Sequence, residues 1–224
     1  AKSQMANRLN VKISNLGEKI NSPYSDFGPI MNIDESILIF TSNRKGSTGE
    51  KTASDGSYYD DIYLSTSDGF FWSSSTKISA TINSESNDVA AGISADGQHL
   101  LLYKDHTGNS CLYQSYYSYD AWTPIKPLSE NINDSTLDPH SSVSMDGNLL
   151  YFASAREGGF GGTDIYRCRK LPNGNWAKAE NLGPKINTKY DEITPFIHPN
   201  GSMLFFSSKG HQSMGGFDIL FSEL

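Results

Sequence analysis

Four acidic residues recur at matching places along the chain, and their type and spacing make them the first candidates for chemistry. Each follows an Ile-Asn pair by a few residues, and the four are Asp26, Asp88, Asp138 and Glu192. Clustered carboxylates can bind a hard cation such as calcium, and a pair of them can hydrolyse a glycosidic bond. They can also accept hydrogen bonds from a turn, a structural role that repeat proteins duplicate as readily as a functional one. The sequence leaves these alternatives open and favours the structural role.

Catalysis would need groups that a structural repeat does not supply. A glycosidase would need carboxylates that belong to one or two repeats, whereas here an acid stands in every repeat. The sequence has no G-x-S-x-G nucleophile step and no pair of histidines at metal-ligand spacing. Cys111 and Cys168 are too few for a disulfide framework and too far apart for a metal motif. We therefore predict no enzymatic activity, no catalytic residues, no metal and no cofactor.

The acids belong to a fourfold repeat that is anchored by the Ile-Asn pair. An aliphatic residue, then Gly or Ser and two variable residues precede each pair, as in Leu182-Gly183-Pro184-Lys185-Ile186-Asn187. The Ile of the pair is residue 20, 82, 132 or 186, so successive copies are 62, 50 and 54 residues apart. A period of this length is typical of β-propeller blades and exceeds that of most helical repeats.

Each repeat predicts four short antiparallel strands. Eight residues after each acid lies an Asp or Asn, followed in the last three units by the Gly of a tight hairpin. A continuous apolar run comes next, as in Leu149-Leu150-Tyr151-Phe152. Such runs are typical of strands that are buried on both faces. A third strand carries the Asp-Ile-Tyr step, and nothing in the chain has the apolar period of a helix.

The predicted architecture is all-β: one domain over residues 1–224, folded as a four-bladed β-propeller of four-stranded antiparallel blades. The repeat units span about 16–77, 78–127, 128–181 and 182–224. An N-terminal strand within residues 8–15, Leu9–Ser14, stands where a fourth strand belongs. Its pairing with the last blade would remove an exposed sheet edge and close the ring.

A second set of charges recurs beside the Asp-Ile-Tyr step. Arg44 and Arg156 end the second strands of units one and three, whose third strands begin with Asp61 and Asp164. Unit two has Cys111 in the Asp position and lacks the Arg as well. This joint loss predicts a structural ion pair between the Arg and the Asp of the same unit.

Charge and hydropathy exclude two classes of function. The net charge is −7 and no cluster of Lys and Arg interrupts it, so we expect no binding of nucleic acid. No apolar run is long enough to span a bilayer, so we predict no transmembrane segment. The first seven residues have no apolar core of a signal peptide, which indicates that a targeting segment was removed or was never present.

Three phrases of the chain resemble the WD40-like repeat, also called PD40, of TolB-type propellers. They are Ser144–Phe152, Gly158–Tyr166 and Ile186–Glu192. The resemblance covers essentially the whole chain, although unit two lacks the Gly-Gly pair and unit one has a longer loop, roughly 43–59. The double-Gly form is similar to propellers in Bacteroidetes envelope proteins with OmpA-like peptidoglycan-binding domains, including a type IX secretion component. The resemblance implies a periplasmic, outer-membrane-associated interaction domain.

The same resemblance implies where a partner binds, because TolB-type propellers dock partner segments at the mouth of the central channel. The recurring acids begin the innermost strand of each blade and are expected to ring one mouth. His140 and Thr194 break the repeat at places where units one and two have Gly28 and Ala90. The predicted partner-binding residues are therefore Asp26, Asp88, Asp138, His140, Glu192 and Thr194.

The predicted function is a non-catalytic protein–protein interaction module of the bacterial cell envelope, with an envelope protein or peptide segment as its partner. The main alternative is a propeller that binds a glycan or peptidoglycan through the mouth and exposed aromatic residues. A plain architectural spacer and, less favoured, a glycoside hydrolase also remain open. The polar loop 44–57 and the tyrosine-rich stretch 113–119 are two further surfaces on which a partner is able to bind.

Overall fold

Sixteen β-strands, all paired antiparallel, form the regular structure of the computed structural model. The structure describes residues 12–106, 109–134, 136–211 and 213–224, with the backbone alone for 105, 106, 109, 110 and 137–139. Within those residues there is no α-helix, and the helical structure is one 3-10 turn, Thr48–Glu50. The strands form four separate sheets that follow one another along the chain.

Each sheet is one blade of a propeller, and its strands follow sequence order from the innermost strand outwards. Blade 1 contains β1 (Asp26–Met31), β2 (Ile37–Ser42), β3 (Asp61–Thr66) and β4 (Thr76–Lys77). Blade 2 contains β5 (Asp88–Ile93), β6 (His99–His106), β7 (Asn109–Ser118), β8 (Ala121–Trp122) and β9 (Lys126–Pro127). Blade 3 contains β10 (Leu137–Val143), β11 (Leu149–Ser154), β12 (Asp164–Arg169) and β13 (Glu180–Asn181). Blade 4 contains β14 (Glu192–Ile197), β15 (Met203–Ser208) and β16 (Asp218–Glu223).

The predicted all-β, four-bladed propeller is confirmed. The strand predicted to complete blade 4, Leu9–Ser14, lies outside the described residues as far as Val11. The described residues 12–15 lie in no strand, and the described part of blade 4 has three strands.

The hairpins between the first and second strands form as the Asp-Gly and Asn-Gly steps predict. Gly97, Gly147 and Gly201 have φ angles of 74°, 70° and 72°, in the left-handed region that glycine adopts without a steric penalty. In blade 1 the corresponding residue is Glu35, which adopts a φ of 58° without being glycine. The turn geometry is therefore kept in all four blades even where the sequence lacks the glycine.

In blades 2 and 3 the second strand packs against both neighbouring blades because its side chains alternate between the two faces. In blade 2, Leu100 and Leu102 join the core shared with Ile39 of blade 1. Leu101, from the other face of the same strand, joins the core shared with Phe152 of blade 3. A third core lies between blades 3 and 4. The continuous apolar runs in the sequence thus serve two interblade cores at once.

The Ile-Asn pair joins consecutive blades. Ile82, Ile132 and Ile186 are buried in the three interblade cores. Each following Asn forms two hydrogen bonds with one backbone residue of the preceding blade's third strand. Asn83 accepts from the Ile62 N–H at 2.9 Å and donates to its carbonyl oxygen at 3.0 Å. Asn133 bonds Leu112 at 2.8 and 3.0 Å, and Asn187 bonds Ile165 at 2.8 and 2.9 Å.

Candidate functional site

The recurring acids begin the innermost strands and accept hydrogen bonds from their own turns. The residue four positions earlier donates its backbone N–H to the carboxylate in three blades: Ser22 to Asp26 at 2.6 Å, Ser84 to Asp88 at 2.5 Å and Thr188 to Glu192 at 2.7 Å. The hydroxyl of the same residue also donates. The side chain of Asp138 lies outside the described residues. We call this end of the channel the acid mouth, and these contacts match the structural role that the sequence favoured.

Each described carboxylate also has a partner on the second strand. Arg44 lies 2.6 Å from Asp26, and Lys104 lies 2.6 Å from Asp88 with both side chains buried. Ser208 donates to Glu192 at 2.6 Å. Burial alone would raise the pKa of Asp26, but hydrogen bonds from Ser22, Ser42 and Arg44 hold it below its usual value. Burial raises the pKa of Asp88 against the opposing effect of Lys104.

The ion pairs predicted between Arg44 and Asp61 and between Arg156 and Asp164 are wrong. Arg44 pairs with Asp26, and Arg156 lies 3.1 Å from Asp134, which follows the Ile-Asn pair. Asp61 instead accepts from the backbone N–H of Thr48. Asp164 accepts from the N–H groups in its own Gly-rich loop. Asp61 also forms an ion pair with Lys77 at 3.1 Å, so each Asp is bound by groups other than the Arg of its unit, and that Arg turns towards the Ile-Asn pair.

A donor from the end of the second strand, or just after it, reaches the carbonyl of the Ile-Asn isoleucine in every blade. Four different residues perform this role, with donor–oxygen distances between 2.8 and 2.9 Å: Arg44 to Ile20, Lys104 to Ile82, Arg156 to Ile132 and His211 to Ile186. Because a carbonyl only accepts, the His211 Nε2 must carry the proton. The contact is not recognisable as a repeated motif in the sequence, because the donors differ in residue type and in position.

His140 and Thr194 lie where the innermost strands are irregular. The pairing of β10 with β11 shifts register between Leu137 and Ser141, and that of β14 with β15 shifts between Ile193 and Phe196. Thr194 adopts a left-handed φ of 51°, and its hydroxyl donates to Ser207 at 2.7 Å. The His140 side chain is exposed. Both residues therefore lie at β-bulges, which are common next to functional sites.

The opposite end of the channel carries an apolar cavity of about 390 Å³. It is lined by the last residues of all four innermost strands and by the turns that follow them. Met31, Ile33, Met145 and Phe196 on this rim are all roughly half exposed. We call this end the cavity mouth, and its lining includes Ile30, Met31, Ile93, Val143, Met145 and Phe196.

Three of the polar side chains that line the cavity are engaged within the fold. Ser142 accepts a hydrogen bond from the Ile197 N–H at 3.1 Å, and Ser141 donates to the Ala91 carbonyl at 3.3 Å. The Asn32 amide contacts the Ser36 hydroxyl and the Ile37 N–H inside its own turn. The cavity therefore offers a ligand mainly apolar contact, as most ligand-binding pockets do.

Sequence reasoning missed this cavity because it looked for residues that carry charge. A signal was present nevertheless. The position five residues after each acid is apolar in every repeat, as Met31, Ile93, Val143 and Ile197. All four line the cavity.

Two other predicted surfaces have different characters. The loop of blade 1 packs on the start of blade 2, where Lys51 and Glu85 form an ion pair at 2.7 Å. The tyrosine stretch is more open: Tyr116 and Tyr117 are partly exposed and Tyr119 fully so. Tyr116 stacks on His99 with ring centroids 4.4 Å apart. Burial lowers the pKa of that histidine to about 4.

Two further features of the described residues concern metal binding and membrane spans. Among the described residues, no group of three or more His, Cys, Asp and Glu side chains is placed to hold a metal ion. In the same part of the chain, no helix is long and apolar enough to cross a membrane.

Comparison with solved structures identifies other proteins with this fold. TolB from Acinetobacter baumannii is 18% identical, covers 92% of this chain and superimposes with a TM-score of 0.59. The putative TolB from Agrobacterium tumefaciens is 17% identical over 91% of the chain, with a TM-score of 0.55. A gluconolactonase from Xanthomonas campestris is 16% identical over 88%, with a TM-score of 0.53.

These similarities show a shared fold, and this chain matches only part of the length of each of these proteins. The chain spans 42% of the Acinetobacter TolB, 78% of the Agrobacterium protein and 56% of the gluconolactonase. No protein-family model matches the chain, and no curated protein does. TolB-type propellers are thus among the structural neighbours, as the sequence resemblance implies, and so is an enzyme.

Proposed function

We propose that this chain is a non-catalytic protein-interaction module that docks a segment of a partner protein at the cavity mouth. The cavity carries this proposal: about 390 Å³ of mainly apolar space lies where the four innermost strands converge. Its volume falls within the range of roughly 300–1,000 Å³ that is typical of ligand pockets. Half-exposed apolar side chains at such a site are typical of a surface that another molecule covers.

The character of the rim favours a peptide segment with apolar side chains. Met31 and Met145 are unbranched and adapt their shape to irregular partners, and Phe196 supplies a large flat surface. A glycan would need several free hydrogen-bonding groups, whereas Ser141 and Ser142 are engaged in blade-to-blade contacts. We expect the partner to insert one or two apolar side chains into the cavity.

The residues predicted from the sequence enter this proposal in two roles. Asp26, Asp88 and Glu192 hold their turns and second strands in place, and so position the innermost strands. His140 and Thr194 lie further along the same strands, where we expect a deeply inserted segment to reach them. Asp138 stands at the matching position of blade 3.

The sequence resemblance supports a setting in the bacterial cell envelope. TolB-type and double-Gly propellers resemble this chain in the phrases 144–152 and 158–166. We accordingly propose a periplasmic, outer-membrane-associated protein whose partner is another envelope protein, as in the type IX secretion and OmpA-linked propellers. The structural neighbours share the fold and leave the partner open.

Partner capture with matched variants tests the proposal. Met31→Asp with Met145→Asp places two charges on the cavity mouth, and Phe70→Asp with Phe71→Asp does the same at an exposed hairpin of blade 1. We expect the wild type and the hairpin variant to capture the same protein from envelope extract, and the cavity variant to lose it. Capture by all three, or by none, would contradict docking at this mouth.

A further inference from the structure

The face of each blade that looks towards the following blade is buried in blades 1, 2 and 3. Ile39 and Ile62 in blade 1 are fully buried, and Leu101 and Leu112 occupy the same places in blade 2. The matching residues of blade 4 are Phe205, which is half-buried, and Ile219, which is 81% exposed. Within the part of the chain that the structure describes, the same apolar face therefore occurs in four blades and is covered in three.

This uncovered surface of blade 4, which we call the open face, consists of Phe196, Phe205, Ile219 and Phe221. Three of the side chains form a continuous aromatic row across the sheet. The ring centroids of Phe196 and Phe205 are 6.3 Å apart, and those of Phe205 and Phe221 are 5.9 Å apart. Phe221 is 63% exposed. Exposed apolar patches of this kind mark interaction sites.

The open face also has an unused backbone site at Ile219. Ile219 pairs with Ser207 in the register in which Ile62 pairs with Thr41 and Ile165 pairs with Ala153. In those blades the N–H and carbonyl of the isoleucine point outwards and bind the Asn of the next Ile-Asn pair. No described residue forms the corresponding hydrogen bonds with Ile219.

The complement of this site is present at the other end of the chain. Asn21 donates to Asn15 at 2.9 Å, just as Asn187 donates to Asn181 at 2.8 Å, so its side chain is already held in the joining conformation. Within the described residues, its Oδ1 accepts no hydrogen bond. Leu16, which opens this copy of the phrase, is half exposed, whereas Leu128 is buried.

We propose that the open face of one molecule binds the Leu16–Asn21 phrase of a second copy of the same chain. The three internal junctions provide the template: Asn21 would bond the Ile219 backbone while apolar side chains cover Phe205 and Phe221. Both halves are exposed on one chain, and Ile20 is already buried against blade 1, so the phrase is presented as a preformed unit. Such a contact is head-to-tail, and each added copy leaves one half free.

Sedimentation velocity over a range of concentrations tests this association. We expect the wild-type chain to associate reversibly with rising concentration. Phe221→Asp and Asn21→Ala should each weaken the association about tenfold or more, as truncation of a central contact does. Phe70→Asp, a charge at a more exposed aromatic residue of blade 1, should leave it unchanged. Circular dichroism would check that each variant is folded.

A mixture of two variants separates this geometry from other contacts. A Phe221→Asp molecule keeps its phrase, and an Asn21→Ala molecule keeps its open face, so together they should form a discrete one-to-one dimer. A symmetric contact between two open faces would not be rescued by mixing and would overturn the proposal. A wild type that stays monomeric would also overturn the proposal. So would protection of the Ile219 amide from hydrogen exchange in the monomer, if Asn21→Ala abolishes that protection, because the phrase would then bind blade 4 of its own molecule.

Discussion

The two mouths of the channel are built from the same four strands but differ in what they leave available. At the acid mouth, an acid stands in every blade, and the three described carboxylates are bound by turns and by donors at or just after the second strand. At the cavity mouth, the side chains differ from blade to blade and several are half exposed. The repeated residues hold the blades together, and the unrepeated ones remain free for a partner. Function lies in sites carried by a fold and varies independently of it.

The largest expected effect is at the acid mouth, in the buried pair of Lys104 and Asp88. Lys104→Met leaves the Asp88 carboxylate buried without its cation, which should lower the free energy of unfolding by about 3–5 kcal/mol. Lys209→Met breaks a largely exposed pair with Asp191 and should cost about 1 kcal/mol or less. Urea unfolding of both variants measures the difference, and equal losses would mean that the acid mouth is not structural.

The next effect belongs to the cavity-mouth end of blade 2, where His99 lies just after the hairpin. Because burial lowers its pKa to about 4, the unfolded chain binds a proton between pH 6.5 and 4 and the folded chain does not. The free energy of unfolding should therefore decrease as the pH falls from 6.5 to 4, by up to about 3 kcal/mol. In His99→Gln this part of the pH dependence should disappear. An unchanged pH profile of urea unfolding would show that His99 is accessible to protons in the folded state.

A smaller effect distinguishes two acids of the acid mouth, because their pKa values shift in opposite directions. The pKa of Asp26 is lowered, so its stabilisation is present above the unfolded pKa and lost as pH falls through the folded one. The pKa of Asp88 is raised, so its contribution improves as pH falls. At neutral pH, Asp26→Asn should cost about 1.5–3 kcal/mol, the range for a charged hydrogen bond.

Thermal unfolding from pH 7 to 3 checks this difference. Asp26→Asn should be less sensitive to acid than the wild type, and Asp88→Asn should be more sensitive. The same slope in both variants would contradict the assigned directions.

The smallest effect on stability should come from the cavity mouth itself. Met145 is 55% exposed, so Met145→Ala removes little buried surface and should change the unfolding free energy by about 0.5 kcal/mol or less. The same substitution should weaken capture of the partner. Loss of stability without loss of capture would reverse the roles that we assign to the two mouths.

Most of the fold followed from the sequence because its repeats mark the residues on which the blades depend. The Ile-Asn pairs and the Asp-Gly turns located the hairpins and the junctions correctly. The ion pairs were wrong because Arg44 has two acids within its own unit, and sequence order does not say which one is bound by other groups. Asp61 is bound by Thr48 and Lys77, and Arg44 pairs with Asp26.

The site was harder to predict than the fold. Its residues are apolar, and no single one of them indicates a binding site in the sequence. They form a site only where the four strands converge. Met145 and Phe196 lie 51 residues apart and are brought together only by the closure of neighbouring blades. The sequence does not indicate the open face of blade 4 either, because Ile219 occupies the same position in the repeat as the buried Ile62.

Site-specific photocrosslinking tests the central claim most directly, because both mouths can be probed from one strand. Phe196 and Tyr190 lie near opposite ends of β14, and both are about half exposed. A benzoylphenylalanine placed at either position preserves an aromatic side chain. In cells that express the protein, the account predicts an adduct with a different protein from position 196 and none from position 190. An adduct from position 190 alone would place the partner at the acid mouth and contradict docking at the cavity.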